Sequence, residues 1–319
     1  MTAVKWVAAV VGAGLVATVI AGAVTLHGKP EDVSVVAEDA RTQYPIVLAH
    51  GMAGFAYLGS FSYWNGIPER LRAHGAQVFV TQVSALNSSD LRGQQLLTQV
   101  EQIVAETGAH KVNLIGHSHG SMSIRYVAAM RPDLVASVTS VAGPVTGSDT
   151  ADWVAELSQS HPWAANVLLS MGNGLGEAIS WASDKALPQD ARATMLSLGS
   201  RGAGDFNRRF PAGVPETYCG EGAHEVNGVR FYSWSGVGAF YRAANPSDYL
   251  MTLTHQAFKS GPSDGLVGQC ASHLGEVIRD DYPMNHFHAI NLFWGVVGTD
   301  VDPVQLYVDH AHRLKQAGL

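Results

Sequence analysis

One serine lies in a pattern that can carry nucleophilic chemistry. The segment Gly116-His117-Ser118-His119-Gly120 follows a short apolar run from Val112 and precedes a helical pattern. In this context the motif predicts a strained strand-to-helix turn that lifts the Ser118 hydroxyl above a sheet, with the backbone N–H of His119 directed at a developing oxyanion. The side chains of His117 and His119 are expected to hydrogen-bond locally. A chance match in a glycine-rich chain is the alternative, which the flanking strand and helix disfavour.

A second loop can supply the other half of an oxyanion site. An apolar strand pattern at 44–49 runs into His50-Gly51-Met52-Ala53-Gly54. The glycines free the backbone so that the N–H of Met52 can point at the same place as that of His119. His50 could be catalytic, but we favour a role in orienting the loop.

An acid and a base follow the serine in chain order. Asp264 lies in a glycine-containing turn, and His286 follows it. The order nucleophile, acid, base is that of the α/β-hydrolase fold, and it predicts Ser118 as nucleophile, Asp264 as acid and His286 as general base. The chain has 14 histidines, so His273 and His288 stay open as alternative bases.

The elements that must position these residues alternate between strands and helices. Strand patterns cover 44–49, 76–83, 112–115, 135–141 and 230–234, and helical patterns cover 89–107, 120–130 and a last helix that begins at Asp302 and Pro303. Such alternation predicts an α/β-hydrolase fold with a mainly parallel central sheet and helices on both faces. Ligands then bind at the carboxyl ends of the strands, where Ser118 and Met52 meet. Ser89 or Asp90 is expected to cap the first of these helices.

The pattern changes over about 149–211, which we interpret as a helical lid inserted into a single domain at 44–319. Its helical stretches are interrupted by glycines at 172, 174 and 176, which could act as hinges. A lid of this kind would cover the nucleophile and present an apolar face to lipid when it opens. An ordinary cap packed on the core is the alternative. The apolar side chains that look exposed are Trp153, Trp163, Leu168, Leu169, Met171, Leu175, Ile179 and Trp181.

The first residues of the chain are predicted to form an export segment. Lys5 precedes an uncharged apolar run at 6–26 that contains Ala21-Gly22-Ala23, which fits a cleavage site. Residues 1–26 are therefore predicted to be a signal peptide and 27–43 a linker, with the protein secreted or periplasmic. Because the run approaches the length that spans a bilayer, membrane anchoring through uncleaved residues 6–26 stays open.

Composition restricts the function further. With 46% hydrophobic and 15% charged residues, the chain is expected to be globular and not disordered. A net charge of −7 without a basic stripe argues against a nucleic-acid partner. The two cysteines, Cys219 and Cys270, predict a disulfide in an exported protein, and two unpaired thiols are the alternative.

Several separate motifs closely resemble the secreted triacylglycerol lipases of Pseudomonas and Burkholderia. The similarity runs from about Tyr44 to Leu319 and rests on the segments 44–52, 116–120, 263–268, 281–286 and 313–315, which match in order and spacing. It implies a mobile helical lid, and it makes a lipase-specific folding chaperone a plausible partner. It also implies roles for Ser118, Asp264 and His286 as the triad, for Met52 and His119 as oxyanion donors, and for Cys219 and Cys270 as a disulfide.

The structural calcium ion of those lipases is not expected here. They hold it beside the catalytic histidine through two aspartates and a glutamine, whose positions are occupied by Asn245, His288 and Leu292. An amide, an imidazole and a hydrocarbon are poor ligands for a hard cation. A displaced site at Asp248 or Asp281 is the alternative, but we predict no metal and no cofactor.

The leading hypothesis is therefore an exported serine carboxylic-ester hydrolase. It would act on acylglycerols at a lipid interface through an acyl-enzyme intermediate on Ser118. A short-chain esterase or a polyester hydrolase would use the same chemistry. A non-catalytic, membrane-anchored binding protein is the hypothesis from a different class, and the complete set of triad and oxyanion motifs argues against it.

Overall fold

The computed structural model describes residues 40–256, 258 and 261–319. The predicted export segment at 1–26, the proposed anchor at 6–26 and most of the linker at 27–43 lie outside the described residues. Within the part that is described, no helix is long and apolar enough to cross a membrane.

A seven-stranded sheet lies at the centre of the described chain, in the order β4–β1–β5–β6–β8–β7, with β9 also paired to β8. Every pairing in it is parallel except that of β7 with β8, which confirms the predicted fold class. The strands β2 and β3 form a separate antiparallel pair. The strands are β1 (Ile46–Ala49), β2 (Tyr57–Leu58), β3 (Phe61–Ser62), β4 (Val78–Thr81), β5 (Val112–His117), β6 (Val135–Val141), β7 (Glu225–Val226), β8 (Val229–Gly236) and β9 (Glu276–Tyr282).

Helices cover both faces of this sheet because its central strands are apolar on both sides. In β1, Ile46 and Leu48 pack into one core and Val47 and Ala49 into the other. The first core contains side chains of α1 and α9, and the second contains side chains of α2 and α3. The helices are α1 (Ile67–Ala73), α2 (Ser89–Thr107), α3 (Gly120–Met130), α4 (Asp149–Ser160), α5 (Pro162–Ala182), α6 (Ala191–Leu198), α7 (Ser200–Arg209), α8 (Pro246–His255) and α9 (Pro303–Gln316).

The N-terminal caps of two helices can be compared with the caps predicted from the sequence. Helix α9 begins as predicted, with the Asp302 carboxylate accepting hydrogen bonds from two N–H groups of the first turn. The predicted cap of α2 is wrong, because Ser88, and not Ser89 or Asp90, has extended backbone and accepts a hydrogen bond from the N–H of Leu91. The residues that follow Ser88 already have helical geometry, so their side chains cannot reach back to the free N–H groups.

The helices α4 to α7 occupy the segment that the sequence marks as an insertion. The predicted interruption at the glycines is wrong, since α5 runs without a break through Gly172, Gly174 and Gly176. A Cβ atom at Gly172 would lie 3.1 Å from Cβ of Ala191, the first residue of α6, and one at Gly176 would lie 2.7 Å from Oε1 of Gln189. Two of the three glycines therefore let α5 pack closely on its neighbour.

Candidate active site

Ser118 lies at the strained turn that the motif predicts. Its φ is +55°, a conformation that non-glycine residues rarely adopt. A Cβ atom at Gly116 would collide with the backbone of Gly120, and one at Gly120 would collide with the carbonyl of Ala49. The turn therefore forms only because both flanking positions lack a side chain.

Asp264 and His286 form a buried pair. The Nδ1–H of His286 donates to Oδ2 of Asp264 at 2.7 Å, and both side chains are almost fully buried. The other carboxylate oxygen, Oδ1, accepts from the N–H groups of Leu266 and Val267 at 2.9 and 2.7 Å. Because a carboxylate can only accept, the imidazole carries its proton on Nδ1, which leaves Nε2 free to accept a proton.

Ser118, His286 and Met52 line one cavity of about 270 Å³. Most of its remaining wall is apolar, which suits a hydrocarbon chain next to a polar reacting group. Part of this wall comes from the helical insertion and part from the loops around the acid and the base. Representative residues of the wall are Val154, Leu168, Leu169, Met171, Leu175, Leu266 and Phe293.

The apolar side chains of the insertion are not all exposed, although the sequence had suggested that they are. Leu168, Leu169, Met171 and Leu175 are half-buried against the cavity, and Ile179 is buried in a core. Of the apolar residues predicted to be exposed, the three tryptophans are exposed: Trp163 by 56% and Trp181 by 86%, while Trp153 both lines the cavity and remains 39% exposed. The insertion thus has an apolar inner surface and a tryptophan-bearing outer surface.

Two backbone N–H groups are available to bind an oxyanion. Those of Met52 and His119 donate no hydrogen bond to any part of the chain that the structure describes. The carbonyl of Gly51 accepts from His50 Nδ1–H at 2.9 Å and from Arg92 Nη2–H at 3.1 Å. Since the peptide unit is planar and trans, holding this carbonyl also fixes the direction of the Met52 N–H.

His50 orients the loop, as we favoured from the sequence, and it does not line the cavity. Its Nε2 accepts from the N–H of Val83 at 3.2 Å, so both ring nitrogens are engaged with backbone. Burial, with a smaller effect of the nearby Arg92 charge, lowers the pKa of His50 to about 3. The ring is therefore neutral at physiological pH, and both of its nitrogens are used to hold the loop in place.

Arg92 is a site residue that the sequence analysis missed. It is fully buried, and its guanidinium donates to four carbonyls, those of Ser84 and Ala85 through Nη1 and those of His50 and Gly51 through Nη2. Burial lowers its pKa to about 9, so the group stays charged near neutral pH. Its position in the sequence could have indicated this role, because Arg92 lies one helical turn before Leu96 on the apolar face of α2. An arginine that is buried on such a face needs hydrogen-bond acceptors around it.

The expectation that His117 and His119 bond locally is wrong. His117 lies between the hydroxyl of Tyr63 and the carbonyl of His286, and Nε2 of His119 lies 3.0 Å from Oγ of Ser89. Burial is the main reason that the pKa of each of these two histidines is well below the usual value. Both rings act as neutral links between distant segments.

The alternative bases lie outside the cavity lining. His273 contacts the carbonyl of Gly220 and the carboxylate of Asp280, both at 2.9 Å. Nε2 of His288 lies 2.8 Å from Oδ1 of Asp248, and neither side chain reaches solvent. Of the three histidines considered as bases, His286 alone shares the cavity with Ser118.

Asn245 and His288 occupy two of the family's calcium positions, and their side chains point hydrogen-bond donors at each other. The Nδ2 group of Asn245 donates to the carbonyl of Val296 at 2.6 Å and lies 3.0 Å from Nε2 of His288, while its Oδ1 accepts from Ser247. N–H groups directed into this space repel a cation, and the Leu292 side chain supplies no ligand atom.

The carboxylates considered for a displaced calcium site are already engaged. Oδ2 of Asp248 accepts from the N–H groups of Tyr241 and Arg242, and Oδ1 accepts from Asn285. Asp281 is more than half exposed and pairs with Arg279. Because Asp248 is already hydrogen-bonded and Asp281 is paired at the surface, this donor set does not fit calcium.

Cys219 and Cys270 form the disulfide that the sequence predicts. It joins the segment before β7 to the short helical turn that follows Asp264. It closes a loop with a sequence separation of 51 residues, which stabilises the fold by about 4 kcal/mol in the chain-entropy model.

The chain is similar to known proteins in sequence and in structure. A family model described as the alpha/beta hydrolase fold matches residues 44–289. A triacylglycerol lipase of Vibrio cholerae is 52% identical over 88% of this chain and 90% of its own, and one of Pseudomonas fragi is 40% identical over 88% and 99%. The crystal structure of Staphylococcus hyicus lipase superposes with a TM-score of 0.61 at 17% identity, covering 92% of this chain and 99% of its own, and this likeness concerns the fold alone.

Proposed function

This chain belongs to the bacterial triacylglycerol lipase family of the α/β-hydrolase fold, and on that premise we propose that it hydrolyses acylglycerols through an acyl-enzyme on Ser118. The observation that carries the proposal is His286, which pairs with the buried Asp264 and lines the same apolar cavity as a serine at a strained elbow. The apolar wall supports a substrate with a hydrocarbon chain.

In the proposed mechanism, Oγ of Ser118 attacks the ester carbonyl while Nε2 of His286 takes its proton. Asp264 holds the ring in the required tautomer and stabilises the imidazolium that results. The N–H groups of Met52 and His119 donate to the oxyanion of the tetrahedral intermediate. The intermediate collapses when His286 returns its proton to the leaving alcohol, and a water molecule then releases the fatty acid by the same steps.

Hydrolysis of a chain-length series tests this function directly. We expect the wild type to cleave p-nitrophenyl esters and emulsified triacylglycerols, and Ser118→Ala to cleave neither. Release of p-nitrophenol and titration of liberated acid give the two rates. A wild type that cleaves only short soluble esters would indicate an esterase, and one that cleaves neither substrate would favour a binding protein.

We further propose that the insertion α4 to α7 is a lid that docks on lipid. An interface would stabilise an open state whose inner leucines contact the lipid, and Trp163 and Trp181 on the outer surface are suited to the boundary between water and lipid. Activity per enzyme should therefore rise when the substrate passes from monomers to an emulsion.

Replacing Trp163 and Trp181 together with serine should lower activity on emulsified triacylglycerol several-fold and leave kcat on a soluble butyrate ester nearly unchanged. The reason is that both side chains face solvent and neither lines the cavity. Met130→Ser is a matched control, since Met130 is 51% exposed at the end of α3, outside the insertion. Equal losses on both substrates, or an equal loss in the control, would contradict lipid docking by the insertion.

We also propose that the protein is independent of calcium, because Asn245 and His288 at the family's ligand positions are engaged with Val296 and Asp248, and Leu292 at the third position has no ligand atom. A chelator should leave the melting temperature and the ester turnover unchanged, since no bound ion stabilises the native state by mass action. Reduction of the Cys219–Cys270 bond should lower the melting temperature clearly. Calorimetry with EDTA, with added Ca²⁺ and with a reductant checks this. A drop of several degrees with EDTA that Ca²⁺ reverses would refute the proposal.

We also propose that the protein is exported and that it folds with the help of a dedicated chaperone. The run at 6–26 supports secretion or periplasmic location, with either cleavage or anchoring. A dedicated folding chaperone is suggested by the resemblance to lipases alone. Expression with the native leader, followed by N-terminal sequencing of the active protein, distinguishes cleavage near Ala23 from retention.

A further inference from the structure

A continuous chain of hydrogen bonds runs along the candidate active site, whose cavity Tyr63 also lines, and joins its two halves. The backbone N–H of Gly51 donates to Oη of Tyr63 at 2.9 Å. Oη of Tyr63 lies 2.7 Å from Nδ1 of His117, and Nε2 of His117 lies 3.0 Å from the carbonyl oxygen of His286. All of these side chains are buried. The mechanism given above uses neither Tyr63 nor the ring of His117.

The direction of every bond in this chain follows from its ends. A carbonyl oxygen can only accept, so the proton of His117 is on Nε2. A backbone N–H can only donate, so Tyr63 accepts from Gly51 and its hydroxyl proton is left for Nδ1 of His117. Burial, followed by the neighbouring charge of His286, lowers the pKa of His117 well below its usual value. The ring is therefore neutral and is held in one tautomer.

One end of the chain fixes the oxyanion loop against the nucleophile. A Cβ atom on Gly51 would lie 2.6 Å from Oη of Tyr63 and 2.8 Å from Cβ of Ser118, so this glycine packs directly between them. Met52, whose N–H serves the oxyanion, is the next residue. A shift of Gly51 would therefore move that donor relative to the serine.

The other end fixes the backbone that carries the base. The N–H of His286 donates to the carbonyl of Asp264 at 3.0 Å, and its own carbonyl accepts from His117. The ring of His117 lies 4.6 Å from the ring of His286, centroid to centroid. The peptide groups on both sides of His286 are thus anchored, which limits how its ring can move relative to Ser118.

We propose that Tyr63 and His117 are positioning residues that tie the loop of the oxyanion donor Met52 to the loop of the base His286, with the nucleophile between them. The proposal rests on the ester-hydrolase function given above. Reacting groups must be held within a fraction of an ångström, and misplacement by about 1 Å can cost about 100-fold in rate. Because the two loops are distant in sequence, their positions relative to Ser118 depend on hydrogen-bonded links of this kind.

The test compares Tyr63→Phe, His117→Leu and the double variant, using kcat and KM for soluble p-nitrophenyl butyrate. Each single variant should lower kcat about 10- to 100-fold with little change in KM, because the bound ester is intact and the reacting groups are misplaced. The double variant should lose no more than the worse single variant, since breaking either link breaks the chain. His117→Gln, whose amide can donate to the His286 carbonyl, should recover much of the loss.

A second readout removes deacylation from the measurement. The rate at which a p-nitrophenyl alkylphosphonate modifies Ser118 also requires the base and the oxyanion donors, and it should fall in parallel with kcat. Tyr307→Phe is a matched structural control, because this buried hydroxyl donates to the carbonyl of Ala289 at 3.0 Å and its ring packs on Trp64, as that of Tyr63 does. It should lower the melting temperature and leave kcat unchanged.

Provided that the wild type hydrolyses esters, three results would overturn the proposal and leave the function intact. The first is a Tyr63→Phe variant with the activity of the wild type, the second is additive losses in the double variant, and the third is a rise in KM at unchanged kcat. An equal kcat loss in Tyr307→Phe would reduce the role of Tyr63 to general stability and would overturn it as well. A wild type that hydrolyses no ester would overturn the proposed function, and this inference with it.

Discussion

Replacing Ser118 or His286 with alanine should lower ester turnover by about 10⁵- to 10⁶-fold, and replacing Asp264 by about 10⁴-fold, because the three groups act as one unit. The fold should survive each change. A combined Ser118→Ala/His286→Ala variant should be no worse than either single variant. Initial rates on p-nitrophenyl butyrate, with circular dichroism to verify folding, measure these losses.

Asp264→Asn gives a sharper test than removal of the side chain. Two backbone N–H groups hold one carboxylate oxygen in place, so the asparagine oxygen would take that position and its amide N–H would face Nδ1 of His286. The ring would then be forced to carry its proton on Nε2, where it cannot accept one from Ser118. We expect a loss of about 10⁴-fold with little loss of stability.

His288→Ala is the control for the choice of base. Its contact with Asp248 suggests a destabilised protein, but the ring does not line the cavity. Turnover per folded molecule should therefore stay near that of the wild type. If His288→Ala abolished turnover while His286→Ala kept it, the assignment of the base would be wrong.

Local motifs explain why the candidate triad could be found without a structure. The elbow needs Gly116 and Gly120 within a few residues of Ser118, and the turn at Asp264 needs only its immediate neighbours. The hydrophobic runs of the central strands likewise report burial on both faces directly. Each of these signals lies within one short window of sequence.

The features that were missed depend on distant partners or on atypical composition. Arg92 and Tyr63 gain their roles from carbonyls, a histidine and a loop that the fold brings to them. Strand β9 was overlooked because Arg279, Asp280 and Asp281 interrupt its apolar pattern, and charges of this kind are common on edge strands. The glycines of α5 were misread because close packing with a neighbouring segment cannot be distinguished from a hinge in sequence alone.

Arg92→Met should lower kcat on soluble esters by about 100- to 1,000-fold, comparable with the loss of an oxyanion donor. The methionine keeps much of the buried volume, but the carbonyls of Ser84, Ala85, His50 and Gly51 lose their shared donor. The carbonyl of the peptide that carries the Met52 N–H then keeps only His50 Nδ1–H and the N–H of Gly54, at 3.2 Å, as donors. Each unsatisfied buried carbonyl also costs about 1–3 kcal/mol, so the free energy of unfolding should fall by about 3 kcal/mol or more.

Arg125→Met separates these two effects. Arg125 is also buried, with a pKa that burial lowers to about 9, and it donates to Asn207 and to the carbonyl of Phe210 instead of the oxyanion loop. It should lose stability in urea unfolding while keeping the kcat of its folded fraction. Arg92→Lys should fall between the wild type and Arg92→Met, because one ammonium cannot reproduce the forked contacts. If the two methionine variants lost kcat equally, Arg92 would act through general stability and the brace on the oxyanion peptide would be refuted.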